Sequence, residues 1–204
     1  MPWFKRTSSM KEGVLKKPSF KNIRKSSIMQ DMRTAIAFYS RSGNCRFVAE
    51  RISKIISEAG GFAELIEIKL AKDFSSIRPL DYLLAGKSAV MKETPQLARM
   101  LFYPEQFDNI ILGTPIWAND MASPMRTFIC ENLAALQSKP VSAYVCLAGK
   151  NGTAALENIR GFAGIEKLEA TLSLTNPKKH DDAETDIKIR GFCEKILSEY
   201  KITH

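Results

Sequence analysis

Histidine is scarce in this chain: two occur among 204 residues, and none of the four cysteines stands in CxxC spacing. A tetrahedral zinc site draws its ligands from such clusters, so no metal is expected. The cysteines, Cys45, Cys130, Cys146 and Cys193, are scattered along the chain, which fits a reducing cytoplasm. Cys146 and Cys193 sit in apolar settings and read as small core residues. No apolar run approaches the roughly 20 residues of a membrane span. The longest, such as Ile110-Ile111-Leu112, are strand-sized. The Walker pattern GxxxxGK[ST] is missing, and so is the dinucleotide turn GxGxxG. Acidic residues number 22 against 30 basic ones, a net charge of +8. That excess is local. Residues 1–31 carry eight basic and two acidic residues, a net of +6, which leaves +2 for residues 32–204. A nucleic-acid interface would place its Lys and Arg on the folded part. No such stripe is seen, so nucleic acid is not an expected partner.

What remains is an ordinary globular composition, 45% hydrophobic and 25% charged, long enough for one domain with a sizeable core. Residues 1–31 show no sustained apolar period. They read as a disordered basic extension, or as a stretch ahead of a translation start at Met32. The competing reading is peripheral contact with an acidic membrane surface, because Trp3 and Phe4 sit beside basic residues. The long apolar segment of a secretory signal is lacking. The folded unit is expected at 32–204, as a monomer or homodimer.

From Thr34 the pattern becomes regular. Thr34-Ala35-Ile36-Ala37-Phe38-Tyr39 is a short apolar run, expected as a buried strand. Apolar residues at 47, 48, 52, 55, 56 and 59 then fall at helical spacing, and Gly60-Gly61 closes that helix. Strands are expected at 62–68, 108–113, 141–147 and 166–174. Further helices are expected at about 79–91, 123–136, 153–162 and 183–200, with a short piece from Pro95 and a loop at 114–121. Ser123 is placed as an N-cap with Pro124 at the first helical position. Strands alternating with helices predict a doubly wound α/β fold: a five-stranded parallel sheet in the order 2-1-3-4-5, helices on both faces. Ligands of such sheets bind beyond the carboxyl ends of the strands, near the switch in strand order. That rule selects loops 40–45, 114–120 and 148–152.

The first loop, Ser40-Arg41-Ser42-Gly43-Asn44-Cys45, joins a buried strand to a helix start. First-turn amides have no acceptor within their own helix, and the helix dipole adds partial positive charge. Gly43 permits an unusual backbone angle, while Ser40, Ser42 and Asn44 add donors. This combination suits a dianionic phosphate; the plain alternative is a polar turn with an N-cap.

Here a resemblance becomes specific. Phe38-Tyr39-Ser40-Arg41-Ser42-Gly43-Asn44-Cys45 resembles the FMN-phosphate loop Tyr-Ser-x-Thr-Gly-Asn-Thr of the flavodoxin-like family. Gly113-Thr114-Pro115-Ile116-Trp117, followed by Pro124-Met125-Arg126-Thr127-Phe128, resembles its Gly-Thr-Pro-Val-Trp and Pro-x-Arg-Thr-Phe segments. The element order matches over about 33–200, the motifs only at the loops. The resemblance implies one non-covalent FMN. Ser40, Arg41, Ser42, Gly43, Asn44 and Cys45 would cradle its phosphate. Thr114, Pro115, Ile116, Trp117, Ala118 and Asn119 would border its ring. Ala148, Gly149, Lys150, Asn151 and Gly152 would close the other side. Cys45 stands where the family has Thr, and the third loop lacks the stacking Tyr of the acidic electron carriers.

The expected function is therefore an FMN-dependent redox protein. It would pass electrons to a partner protein, or use NAD(P)H to reduce a small acceptor such as a quinone. The alternative is a binding module that keeps the fold without flavin. Backbone carbonyls at 118–120 would accept a proton-bearing N5, and Trp117 offers a flat apolar surface. Arg126 is expected as a solvated or ion-paired surface residue, Lys150 as a loop cation, and His180 and His204 as surface residues. No catalytic acid or base is assigned.

Overall fold

The computed structural model describes residues 31–71, 94–149 and 152–203. Its elements are β1 (Arg33–Phe38), α1 (Asn44–Glu58), β2 (Phe62–Glu67), a 3₁₀ turn (Pro104–Gln106), β3 (Asn109–Trp117), β4 (Asp120–Met121), α2 (Ser123–Glu131), α3 (Leu133–Ser138), β5 (Val141–Leu147), α4 (Thr153–Ala163), β6 (Thr171–Thr175) and α5 (Ala183–Thr203). The main sheet runs β2-β1-β3-β5-β6, and β4 pairs only with β3. Among the described residues, the pairings between named strands are parallel except the β3–β4 hairpin. With β4 set aside, this is the predicted order 2-1-3-4-5.

The strands read as apolar runs because both faces of the sheet are covered. Along β1, successive side chains point to opposite faces. Ile36 and Phe38 join Val48, Ile52, Tyr144, Ile189 and Phe192 in the core beneath α1 and α5. Ala35 and Ala37 join Ile110, Leu112, Phe128, Val145 and Ile159 in the core beneath α2 and α4. Each large aliphatic side chain buried this way contributes about 1.5–3 kcal/mol. The register sets Phe38 beside Gly113 and Gly113 beside Tyr144, which aligns the carboxyl ends of the three central strands.

Several expectations change. The third strand does not stop at Gly113. It continues to Trp117 and folds back through β4, so the expected loop 114–121 is mostly hairpin. The helix expected over 123–136 is two helices. Asn132 breaks it: its side chain donates to the Phe128 carbonyl at 2.8 Å, while its own N–H turns to Ile129. Asn side chains compete with the helical ladder in this way. The N-cap is Ala122 rather than Ser123, so Pro124 is the second helical residue. The last strand is shorter than 166–174, spanning Thr171–Thr175. Around Pro95 there is extended chain, where Leu97 bridges Leu70, instead of a helical piece. The extension 1–30 and the helix expected at about 79–91 lie outside the described residues.

Candidate functional site

β1 delivers the first loop to the carboxyl edge of the sheet. Gly43 caps α1 with φ 84°, the left-handed region open to glycine. Ser40 Oγ accepts from Arg46 N–H at 3.1 Å, and the Gly43 carbonyl accepts from Phe47 N–H at 3.0 Å. The N–H groups of Gly43, Asn44 and Cys45 have no acceptor among the described residues. Three amides without acceptors at a helix start suit an anion. Asn44 is occupied differently from expectation: its Nδ2 donates to Ser42 Oγ at 3.2 Å, and its Oδ1 accepts from Lys178 N–H at 3.1 Å. It holds two loops together.

Cys45 is 1% exposed, and its side chain lies in the core. Only its N–H can face the cradle. Burial, then the hydrogen bond to Cys146, push its thiol well above the ordinary value. Tyr144, also buried, donates its hydroxyl to the Cys45 carbonyl at 2.8 Å and so anchors the first turn of α1 from beneath. Cys193 is pushed up to about 12 by burial. Of the four thiols only Cys130 is exposed. A disulfide reagent is thus expected to titrate one thiol in the native protein and four after denaturation. Stability should also be lost as pH rises from about 9 toward 12, because the unfolded Cys193 ionises first and the folded one resists. Unfolding measured across that pH range checks the second part.

The second loop is built on the β3–β4 hairpin. Ile116 pairs with Met121 and Trp117 with Asp120, leaving a two-residue turn. Both turn residues have positive φ, Ala118 at 48° and Asn119 at 64°. That is the primed geometry short hairpins favour; it suits Asn and strains Ala. Both are exposed, while Pro115, Ile116 and Trp117 are half-buried. Tyr39 meets Trp117 edge-on, ring centroids 5.5 Å apart, which fixes the indole beside the first loop. Thr114 is buried, and its hydroxyl is spent internally: it accepts from Ala122 N–H and donates to the Pro115 carbonyl, both at 3.1 Å.

Arg126 corrects its expectation: it is ion-paired but not on the surface, with a side chain only 3% exposed. Its guanidinium reaches Asp120 Oδ2 at 2.6 Å and lies 4.9 Å from the Phe162 ring centroid. Asp120 Oδ1 accepts from Met121 N–H at 2.7 Å and from Asn158 Nδ2 at 3.2 Å. The hairpin base is therefore pinned to α2 and α4.

In the third loop Ala148 and Gly149 are exposed, and Lys150 and Asn151 lie outside the described residues. Gly152 is buried; a Cβ there would come 2.4 Å from Ser173 Oγ, so close packing explains this glycine. Beside the third loop opens a cavity of about 420 Å³ that shares only Gly152 with the expected site. Asp182, Glu184, His180 and Lys188 line it, and Lys188 is paired with Glu184 at 2.6 Å.

The sequence does not signal the side-chain roles of Tyr39, Asp120, Tyr144 and Lys178. Tyr39 adjoined the first motif and was the one within reach. Tyr144 and Lys178 act through contacts between distant segments that no local spacing signals, and the Asp120 side chain is used because the hairpin folds back toward Arg126.

The sequence matches no family model and no curated protein. Solved structures do match. A flavoprotein from Lactobacillus acidophilus, in complex with FMN, aligns with TM-score 0.58 at 21% identity over 74% of this chain and 97% of its own. A flavodoxin from the domain Archaea aligns with TM-score 0.55 at 17% identity over 83% of this chain and 99% of its own. The Flv1 flavodiiron core from Synechocystis aligns with TM-score 0.57 at 16% identity, over 86% of this chain and 37% of its own. The chain thus has the flavodoxin-like fold. No described helix is long and apolar enough to cross a membrane.

Proposed function

We propose that this protein binds one FMN non-covalently and works as a redox protein. The observation that carries the reading is the cradle at Gly43: three amides without acceptors at a left-handed turn, directly after the first strand. The FMN complex of the Lactobacillus flavoprotein, which shares the fold, supports it. Flavin when bound supplies one- and two-electron chemistry. The chain's own residues do the rest. The amides of 43–45 hold the phosphate, assisted by the Ser42 hydroxyl. Trp117, steadied by Tyr39, presents an apolar face to the ring, and the exposed peptides of Ala118 and Asn119 border it. Ala148 and Gly149, with Lys150, Asn151 and Gly152, close the far side. The Cys45 side chain takes no part, so a Cys in place of Thr leaves a cradle built from backbone.

The electron exchange is with a protein partner or with NAD(P)H and a small acceptor such as a quinone. A third loop without tyrosine covers less of the ring than a stacking side chain would, which favours the enzyme reading. Titration of the apoprotein with FMN tests the proposal: binding should quench flavin fluorescence. Gly43→Val should weaken FMN about tenfold more than riboflavin, since a branched side chain at positive φ disrupts only the phosphate cradle. Unquenched flavin at micromolar protein would instead point to the binding module without flavin.

A further inference from the structure

The loop between β6 and α5, residues 176–182, belongs to none of the three segments above, yet it is built against the first. Asn176 takes φ 43°, and its N–H donates to the Leu147 carbonyl at 2.9 Å. Pro177 is buried. The Thr175 hydroxyl donates to the Gly149 carbonyl at 2.9 Å, which joins this strand end to the third loop. Arg51 on α1 grips Asp181 at 2.5 Å and Asp186 at 3.3 Å. Lys178 N–H closes the seam on Asn44 Oδ1 at 3.1 Å. The result lays the Lys178 side chain over the mouth of the cradle: a Cβ built on Gly43 would lie 3.5 Å from Lys178 Nζ.

The surrounding charges leave this cation available. Asp181 is taken by Arg51, Asp182 caps Thr185 N–H at 2.9 Å, and Glu67 pairs with Arg46. Among the described residues Lys178 has no acidic partner. An ammonium group without a carboxylate, held by its backbone beside amides without acceptors, is arranged to meet a dianion.

We infer that Lys178 is a fourth-loop ligand of the phosphate and makes this site select phosphorylated flavin over riboflavin by charge. The inference rests on the FMN reading. Its chemistry is an ion pair, partly exposed and therefore screened by salt. FMN and riboflavin are titrated by fluorescence quenching into wild type, Lys178→Gln and Lys178→Arg, at low and high salt. The unfolding midpoint of each flavin-free variant confirms an intact fold. Lys178→Gln is expected to weaken FMN on the order of fivefold at low salt and much less at high salt, leaving riboflavin unchanged. Lys178→Arg should retain most of the FMN affinity. If wild type binds FMN and Lys178→Gln binds it equally well, or loses both flavins in equal measure, the assignment is wrong while the FMN reading stands. If wild type binds neither flavin, both fall.

Discussion

Arg126→Leu is expected to lower the free energy of unfolding by about 3 kcal/mol, read as a shift of the urea midpoint at unchanged slope. The buried guanidinium meets Asp120 at 2.6 Å, and the Asp120 side chain is itself only 15% exposed. Removing the cation strands a carboxylate whose remaining donors are Met121 N–H and Asn158 Nδ2. The ion pair is not expected to be worth that much in its own right, because desolvation opposes the attraction, and the Arg126 Nε has no partner among the described residues. A double-mutant cycle with Asp120→Asn separates the two: Arg126→Leu should do much less harm when Asp120 is already neutral. The same change should loosen the hairpin tip. Ala118 at φ 48° is held in a conformation costing about 1–3 kcal/mol. Ala118→Gly should therefore recover part of the loss, and flavin affinity should fall in Arg126→Leu before the fold does.

The second large effect lies under the first loop. Gly113→Ala would set a Cβ 2.1 Å from the Tyr144 ring, well inside contact distance. Tyr144 is fully buried and tethered by its hydroxyl to Cys45, so it has nowhere to retreat. A loss of about 3 kcal/mol or more is expected, at the upper end of overpacking in a dense core. Tyr144→Phe alone should cost about 1–2 kcal/mol by leaving the Cys45 carbonyl unpaired. Tyr144→Leu opens the space, so Gly113→Ala combined with it should be far milder than the sum of the single changes. Thermal or urea unfolding of the four proteins decides it. The glycine that opens the second motif is thus required by packing beneath the first.

These two residues also show what sequence could and could not reveal. The parallel sheet was legible because burial on both faces leaves continuous apolar runs such as Ile110-Ile111-Leu112, and α1 because Val48, Ile52 and Ile56 recur at helical spacing. Gly43 was legible because a glycine at a strand-to-helix turn has few other reasons to be there. The burial of Arg126 is not legible, because an arginine carries the same letter whether it faces water or a buried carboxylate. The pairing depends on a hairpin bending back by two residues, and Ala118 is a poor advertisement for a positive-φ turn. The break at Asn132 needed its side chain to outbid its own backbone for a carbonyl. Lys178 was beyond reach because 134 residues separate it from Asn44.

Those separations bear on how the corner comes into being. The bonds that close it span 99 residues between Cys45 and Tyr144, 130 between Arg51 and Asp181, and 134 between Asn44 and Lys178. Loop closure over such lengths is slow and gains nothing until the sheet is in register. A nascent chain that has not yet reached Lys178 would carry the first loop without the bonds to Asn44 and Arg51. A ligand that uses Lys178 as well as the amides of 43–45 binds most tightly once these bonds have closed, and by mass action it would draw late intermediates toward the native state.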